Sequence, residues 1–306
     1  MRNILLSALI ILGVTALVFG CKNNKENKKG ESFVPLKMVE VPAMITDPAN
    51  RVKFIVEHFW DGMNFRDTNY LSNLQNLNVH FSAYLDYLTQ STNERAKASV
   101  ANLTDRALNG DPKIVRKFRE MFEAAFYHPN SVYRNEELYI IVLEKFTTSN
   151  KISEAEKVPL KYQLDLAYRN RTGTKAIDFN YVLEDGRVKS LYEINSEFTL
   201  LIFIDPDCPT CQSVMELMKS SPVLSELNRR VKVLTIYAGV DFERWMMEVP
   251  HMNRRWINGC DKEMKIQNES LYDLRPTPAL YLLDKHKVVI LKDAPFNYIE
   301  EYLKKV

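Results

Sequence analysis

The sequence predicts an all-α helical domain followed by an α/β domain, a central mixed β-sheet flanked by helices. Three observations lead there. A length of 306 residues leaves room for about two domains. Residues 45–168 carry apolar side chains at helical spacing. From Gly173 onward, short apolar runs of strand length alternate with helix-compatible stretches, the pattern of a layered sheet-and-helix domain. With 46% hydrophobic and 26% charged residues the composition is that of an ordinary folded chain, and nine glycines lean towards helix rather than Gly-rich phosphate loops. A formal net charge of +2 argues against a nucleic-acid partner bound through a basic surface. The four cysteines, Cys21, Cys208, Cys211 and Cys260, are too few for a disulfide-built scaffold of this length, so each needs its own account.

The first of them follows an apolar run. Arg2 precedes Ile4 to Phe19, which has the length of a secretory signal rather than of a spanning helix. The run ends Val18-Phe19-Gly20-Cys21, which resembles the lipobox of bacterial lipoproteins, Phe19 being its one unfavoured residue. That resemblance implies a signal peptide over 1–20, lipidation of Cys21 and a membrane anchor through the lipid. Lys22 after the cysteine then implies the outer membrane, and the lack of an acidic cluster implies its periplasmic face. Residues 21–44 read as a tether, since Lys22 to Glu31 is almost wholly polar.

Residues 45–168 form the helical domain. Asp47-Pro48 supplies an N-cap and a proline at the first helical position, and Val52, Ile55, Val56, Phe59, Trp60 and Met63 share one face. Leu74, Leu77, Phe81, Tyr84, Leu85 and Leu88 make a second face. Ser91 and Glu94 have capping-box spacing for a third helix. Asp111-Pro112 opens a fourth, its stripe running through Ile114, Phe118 and Phe122 to Phe126. A fifth spans about Asn135 to Phe146, and Ser153 with Glu156 caps a sixth. Stripes of this spacing are core far more often than ligand grooves. His58, His80 and His128 lack metal-ligand spacing.

Residues 173–306 form the α/β domain. Tyr181 to Leu183 and Arg187 to Lys189 flank Asp185-Gly186 as a hairpin. Phe198 to Ile204 and Val231 to Tyr237 have the length and β-branched content of buried strands. Helices are expected from Cys208 to about Leu227, from Phe242 to Val249 and from Asn297 to Lys305. Leu280 to Leu283 and Val288 to Leu291 form an antiparallel pair. Asn258-Gly259-Cys260-Asp261 reads as a turn before a helix, and Cys260 as a buried small apolar residue rather than a third redox thiol.

Where the first buried strand becomes a helix stands Cys208-Pro209-Thr210-Cys211. Cysteines three apart at a helix start lie close enough to close a disulfide. The first faces the positive end of the helix dipole, which favours its thiolate. Pro209 suits the first helical position. The spacing serves dithiol–disulfide exchange, with Cys208 attacking and Cys211 resolving. Half a zinc site is the poorer alternative, because no second CxxC or His pair follows and Cys260 with His251 complements it badly; no metal is expected. A structural disulfide is another, although so small a loop stabilises little.

Gly173 to Phe179, the buried strand, the CxxC and Thr277-Pro278 occur in the order of the thioredoxin superfamily, whose TlpA-like and peroxiredoxin-like branch this half of the chain resembles. The resemblance implies a thioredoxin-like fold for 173–306. It implies a redox-active disulfide between Cys208 and Cys211 with no other cofactor. It also implies a cis-proline at Pro278, facing the dithiol, and a Thr277 backbone that pairs with substrate. With Asp205-Pro206-Asp207 before the motif, the two-part plan is similar to that of bacterial lipoproteins that join a helical domain of unknown function to a thioredoxin-like domain. Two residues depart from the family. Ile202 stands where thioredoxins carry a buried Asp, which leaves Cys211 without its usual proton acceptor. Asp207 stands in place of Trp, and a carboxylate there should oppose the Cys208 thiolate, partly offsetting the helix dipole.

The expected function is therefore a lipid-anchored periplasmic thiol–disulfide oxidoreductase, a reductase or isomerase acting on protein thiols and disulfides and supplied by a membrane electron donor. The absence of histidine inside the CxxC argues against a strongly oxidising poise. The alternative is a non-enzymatic scaffold lipoprotein whose helical domain recognises a partner. Peroxidase chemistry is less favoured, because the Thr-x-x-Cys and Arg arrangement of the peroxiredoxin-like branch is not evident around Cys208.

Overall fold

The computed structural model describes residues 35–306 apart from positions 206 and 276. The expected signal segment, Cys21 and the polar part of the tether lie outside the described residues. Within the described end of the expected tether, Leu36 and Val39 rest on the helical core, and the Leu36 N–H donates to Asn76 Oδ1 at 3.4 Å.

Among the described residues the first part has six α-helices, α1 (Pro48–His58), α2 (Leu74–Thr89), α3 (Asn93–Leu108), α4 (Pro112–Phe122), α5 (Glu136–Thr148) and α6 (Glu154–Tyr168). Their starts follow from side-chain caps that satisfy otherwise unpaired N–H groups. Asp47 accepts from the Asn50 N–H and Asp111 from the Lys113 N–H, both at 2.8 Å, and Ser153 with Glu156 closes a capping box. For α3 the cap is Thr92, one residue after the expected Ser91, whose hydroxyl instead donates to the Leu88 carbonyl at the end of α2. The apolar stripes converge on one core, in which Leu77, Tyr84, Phe118, Phe122, Tyr139 and Phe146 are fully buried. Burial of each such side chain contributes about 1.5–3 kcal/mol. The α4 stripe does reach Phe126, but through a π-helical turn, Glu123–Tyr127, rather than a continued α-helix.

The second part is a seven-stranded sheet of β1 (Asn180–Leu183), β2 (Val188–Ser190), β3 (Phe198–Ile204), β4 (Val231–Tyr237), β5 (Ile257–Cys260), β6 (Ala279–Asp284) and β7 (Val289–Lys292). Their order is β2-β1-β5-β4-β3-β6-β7. The central pairs β3/β4 and β4/β5 are parallel and the outer pairs antiparallel. This is the thioredoxin-like fold expected from the sequence. The helices are α7 (Pro209–Lys219), α8 (Pro222–Glu226), α9 (Phe242–Glu248), α10 (Lys265–Asn268) and α11 (Phe296–Leu303). Every residue of β3 is buried because both sheet faces are covered, and alternation divides its side chains between two cores. Leu200, Ile202 and Ile204 join one face with Met218 of α7 and Ile299 of α11, while Leu201 and Phe203 join the other with Tyr272 and Tyr281.

Two local expectations are corrected. The single helix from Cys208 to Leu227 is broken at Ser220 and Ser221, where Ser221 caps α8 and Pro222 takes its first position. Residues Asn258–Cys260 are not a turn but part of β5, paired in parallel with β4; the Asp261 carboxylate then accepts from the Lys265 and Ile266 N–H groups in the short α10, at 3.1 and 2.7 Å.

Polar contacts join the two parts. The Lys292 ammonium of β7 donates to the Ala167 and Arg169 carbonyls at the end of α6, at 3.0 and 2.7 Å, and lies 2.8 Å from Glu136 of α5. Arg134 pairs with Asp293, and Tyr162 of α6 bonds Ser270 at 2.9 Å.

Candidate active site

Strand β3 ends at Ile204, and four residues later the chain enters α7 through Cys208. Parallel pairing with β4 places this junction at the carboxyl edge of the two central strands, next to Tyr237. Cys208 is the N-cap of α7, and its Sγ accepts from the Cys211 N–H at 3.3 Å. Pro209 and Thr210, both exposed, form the first helical turn. One turn on, Cys211 faces inward and is fully buried, packed on the same core as Ile202 and Ile204.

The two thiols therefore differ in acidity. Burial alone would push the Cys208 thiol up. Hydrogen bonds from the Cys211 side chain and backbone outweigh it, and the thiol ionises below its ordinary value. Burial pushes the Cys211 thiol up to about 12, and the adjacent Cys208 adds to the rise. A partly exposed low-pKa sulfur beside a buried high-pKa one is the pair that exchange chemistry needs. The first meets a substrate as thiolate, and the second keeps its proton until a mixed disulfide forms.

Across the site, the loop before β6 brings Thr277 and Pro278 to the dithiol, with the Thr277 carbonyl 3.7 Å from Cys208 Sγ and a cis Thr277–Pro278 peptide bond. Both residues are half-buried. On the far side of this loop the Arg275 guanidinium lies over the Tyr127 ring, 4.5 Å from its centroid, and its carbonyl faces Arg134 Nη2 at 3.5 Å. The helical part thus touches the loop that bounds the dithiol.

Asp207 precedes Cys208, and its carboxylate is paired with Arg244 of α9, Nη2 to Oδ1 at 2.8 Å; the Cys208 thiol has a net lowered pKa. Arg244 was not legible as a site residue. It stands 37 positions away on a short helix, and its local partner Glu248, four residues on and 3.4 Å away, makes it look like an ordinary surface ion pair. Ile202 is fully buried in apolar surroundings, so β3 offers Cys211 no carboxylate. Cys260 is also fully buried; desolvation pushes its thiol up to about 12, with Asp261 adding to it. Among the described residues no group of three or more His, Cys, Asp and Glu could hold a metal ion. Cys21, the expected lipidation site, lies outside the described residues.

A family model described as a domain of unknown function, DUF5106, matches residues 20–170. Among solved structures, a thioredoxin-like protein from Bacteroides caccae is 37% identical, with a TM-score of 0.85, over 90% of this chain and 99% of that one. The C-terminal domain of an uncharacterized protein from Bacteroides fragilis is 43% identical over 44% of this chain and 98% of that one, with a TM-score of 0.44. A domain of a possible thiol-disulfide isomerase from Cytophaga hutchinsonii is 24% identical over 45% and 94%, with a TM-score of 0.38. No curated protein matches the sequence.

Proposed function

The chain belongs to the thioredoxin-like family, and from that premise we propose that it is a thiol–disulfide oxidoreductase acting on protein disulfides through Cys208 and Cys211. The observation that carries the reading is the asymmetry of the two sulfurs. Cys208 caps α7 half-exposed with a lowered pKa, while Cys211, three residues on, is buried and held near 12.

In the reducing direction the Cys208 thiolate attacks one sulfur of a substrate disulfide. A Cys208–substrate bond forms, the substrate S–S bond breaks, and the leaving thiolate takes a proton from solvent. Cys211 then gives up its proton and attacks Cys208 Sγ. The Cys208–Cys211 disulfide forms, the Cys208–substrate bond breaks and the second substrate thiolate leaves and is protonated, so the substrate gains two electrons from the dithiol and two protons, one from solvent and one matching that released by Cys211. Formation of the mixed disulfide removes the negative charge on Cys208 and with it one of the causes holding Cys211 protonated. The Thr277 backbone beside Cys208 is suited to pair with an extended substrate strand, and Pro278 closes that rim. Asp207, Pro209 and Thr210 flank the thiolate. A membrane electron donor restores the dithiol.

The finer parts of the reading rest on the sequence. A lipobox-like Cys21 after an apolar run, followed by a polar stretch, supports a lipid-anchored protein of the cell envelope at the periplasmic face of the outer membrane. A CxxC without histidine supports a reductase or isomerase rather than a strong oxidant.

The deciding assay is dithiothreitol-driven insulin reduction, compared between wild type and Cys208→Ser. The wild type should accelerate precipitation of the insulin B chain, and the variant should fall to the rate of dithiothreitol alone. Equal rates for the two would sink the proposal.

A further inference from the structure

We infer that Arg244 is a positioning residue for the dithiol: by pairing with the Asp207 carboxylate it cancels the negative charge next to Cys208 and so preserves the Cys208 thiolate. The inference deepens the reading of Cys208 as the attacking sulfur and rests on it.

Asp207 is joined directly to Cys208 in the chain, and an uncompensated carboxylate there would raise the cost of a second negative charge on Sγ. No charged side chain in the first turn of α7 offsets it, since Pro209 and Thr210 carry no charge. The compensation comes from another element. Asp241 caps α9 by accepting from the Arg244 N–H at 2.9 Å, which fixes the start of that helix. The Arg244 side chain then reaches Asp207 at 2.8 Å. Its Nε is buried with no partner among the described residues, so the guanidinium is held there by its Nη2 contacts to Asp207 and Glu248.

The other charged groups nearby have different engagements. Asp205 accepts the Asp207 N–H at 3.0 Å and Asp241 serves the helix cap. Arg275, on the loop side, is paired with Asp273. Tyr237, at the end of β4, accepts from the Asp241 N–H through its hydroxyl. Arg244 is therefore the cation placed to screen Cys208 from Asp207. Asp207 is largely exposed, with 71% of its side-chain surface accessible, which limits the effect to that of a solvated ion pair, about three- to fivefold in thiolate population.

The test is the pH profile of iodoacetamide alkylation at Cys208 in the reduced full chain, read by mass spectrometry of the peptide containing it. This readout needs no turnover, so it stands whether or not insulin is reduced. Arg244→Gln should slow alkylation at pH 7 about three- to fivefold and move the profile to higher pH. Asp207→Asn should speed it by a similar factor, and Arg244→Gln with Asp207→Asn should return it to near the wild-type rate. Arg244→Lys should keep most of the rate, and 1 M salt should shrink all of these differences. An unchanged profile for Arg244→Gln would overturn the inference. So would a double variant as slow as the single one, because loss of packing by α9 would not be repaired at Asp207.

Discussion

A cysteine in this protein takes its chemistry from its place relative to one helix start and one sheet. Cys208 and Cys211 are separated by two residues, yet one thiol is lowered by hydrogen bonds at the N-terminus of α7 and the other is raised to about 12 by the core beneath it. Cys260 reaches the same range mainly by burial, with Asp261 adding to the rise. A single labelling experiment separates the three. Between pH 6 and 9, iodoacetamide should modify Cys208 in the reduced protein while Cys211 and Cys260 remain at least tenfold slower, becoming comparable only after urea exposes them. Modification of Cys260 at the rate of Cys208 under native conditions would show that β5 opens or that the burial is not maintained.

At the scale of elements, β5 shows why a short peptide can mislead. Asn258-Gly259 is a strong turn signal, because both residues tolerate positive φ. Here the glycine serves closeness instead. A Cβ on Gly259 would stand 2.5 Å from Cδ2 of Tyr181 in β1 and 3.1 Å from Ile236 in β4, so the strand lies against its neighbours only if that position is bare. By contrast Gly186, in the β1–β2 hairpin, has a φ of +82° and open space where a Cβ would be, and is a glycine required by the turn. Gly259→Ala should therefore cost about 1–3 kcal/mol through overpacking, read as a lowered urea midpoint with an unchanged slope. A midpoint equal to wild type would mean that Tyr181 can swing aside without loss.

Across the whole molecule, the two parts meet through charges that are largely or partly buried. Asp293 follows β7, faces Arg134 from the helical part, and titrates near 6 because desolvation outweighs the attraction of that arginine. Burial also raises Glu136 and Asp273 in the same cluster. A carboxyl whose folded pKa lies above its ordinary 3.8 binds its proton more tightly in the folded protein. Its contribution to stability is therefore complete below about pH 4 and is lost as pH rises through about 6. Asp293→Asn, neutral at every pH, removes that dependence. The stability of wild type relative to the variant should fall from pH 4 to pH 7, as measured by urea unfolding at each pH. A difference that stays flat or grows across this range would show that Arg134 holds Asp293 ionised. The same junction contacts the loop carrying Arg275 and Thr277, so the helical part braces one wall of the dithiol site.

How much of this was legible follows the range of the forces. Caps such as Asp111 and Ser153, the 3.6-residue stripes of α2 and α4, the apolar β3 and β4 and the CxxC at a helix start all arise from interactions within a few residues, and the sequence displays them directly. On that basis the chain alone determined a helical part followed by a sheet-and-helix part, with Cys208 and Cys211 at the junction of strand and helix. The tertiary structure decided what depends on distant neighbours. Asn258–Cys260 became a strand by pairing with β4, Gly259 lying close under Tyr181, and Asp207 met an arginine 37 positions away. Asp293 met a partner 159 positions distant. The physical reason is that burial and electrostatic pairing depend on separation in space, and only the folded chain sets that.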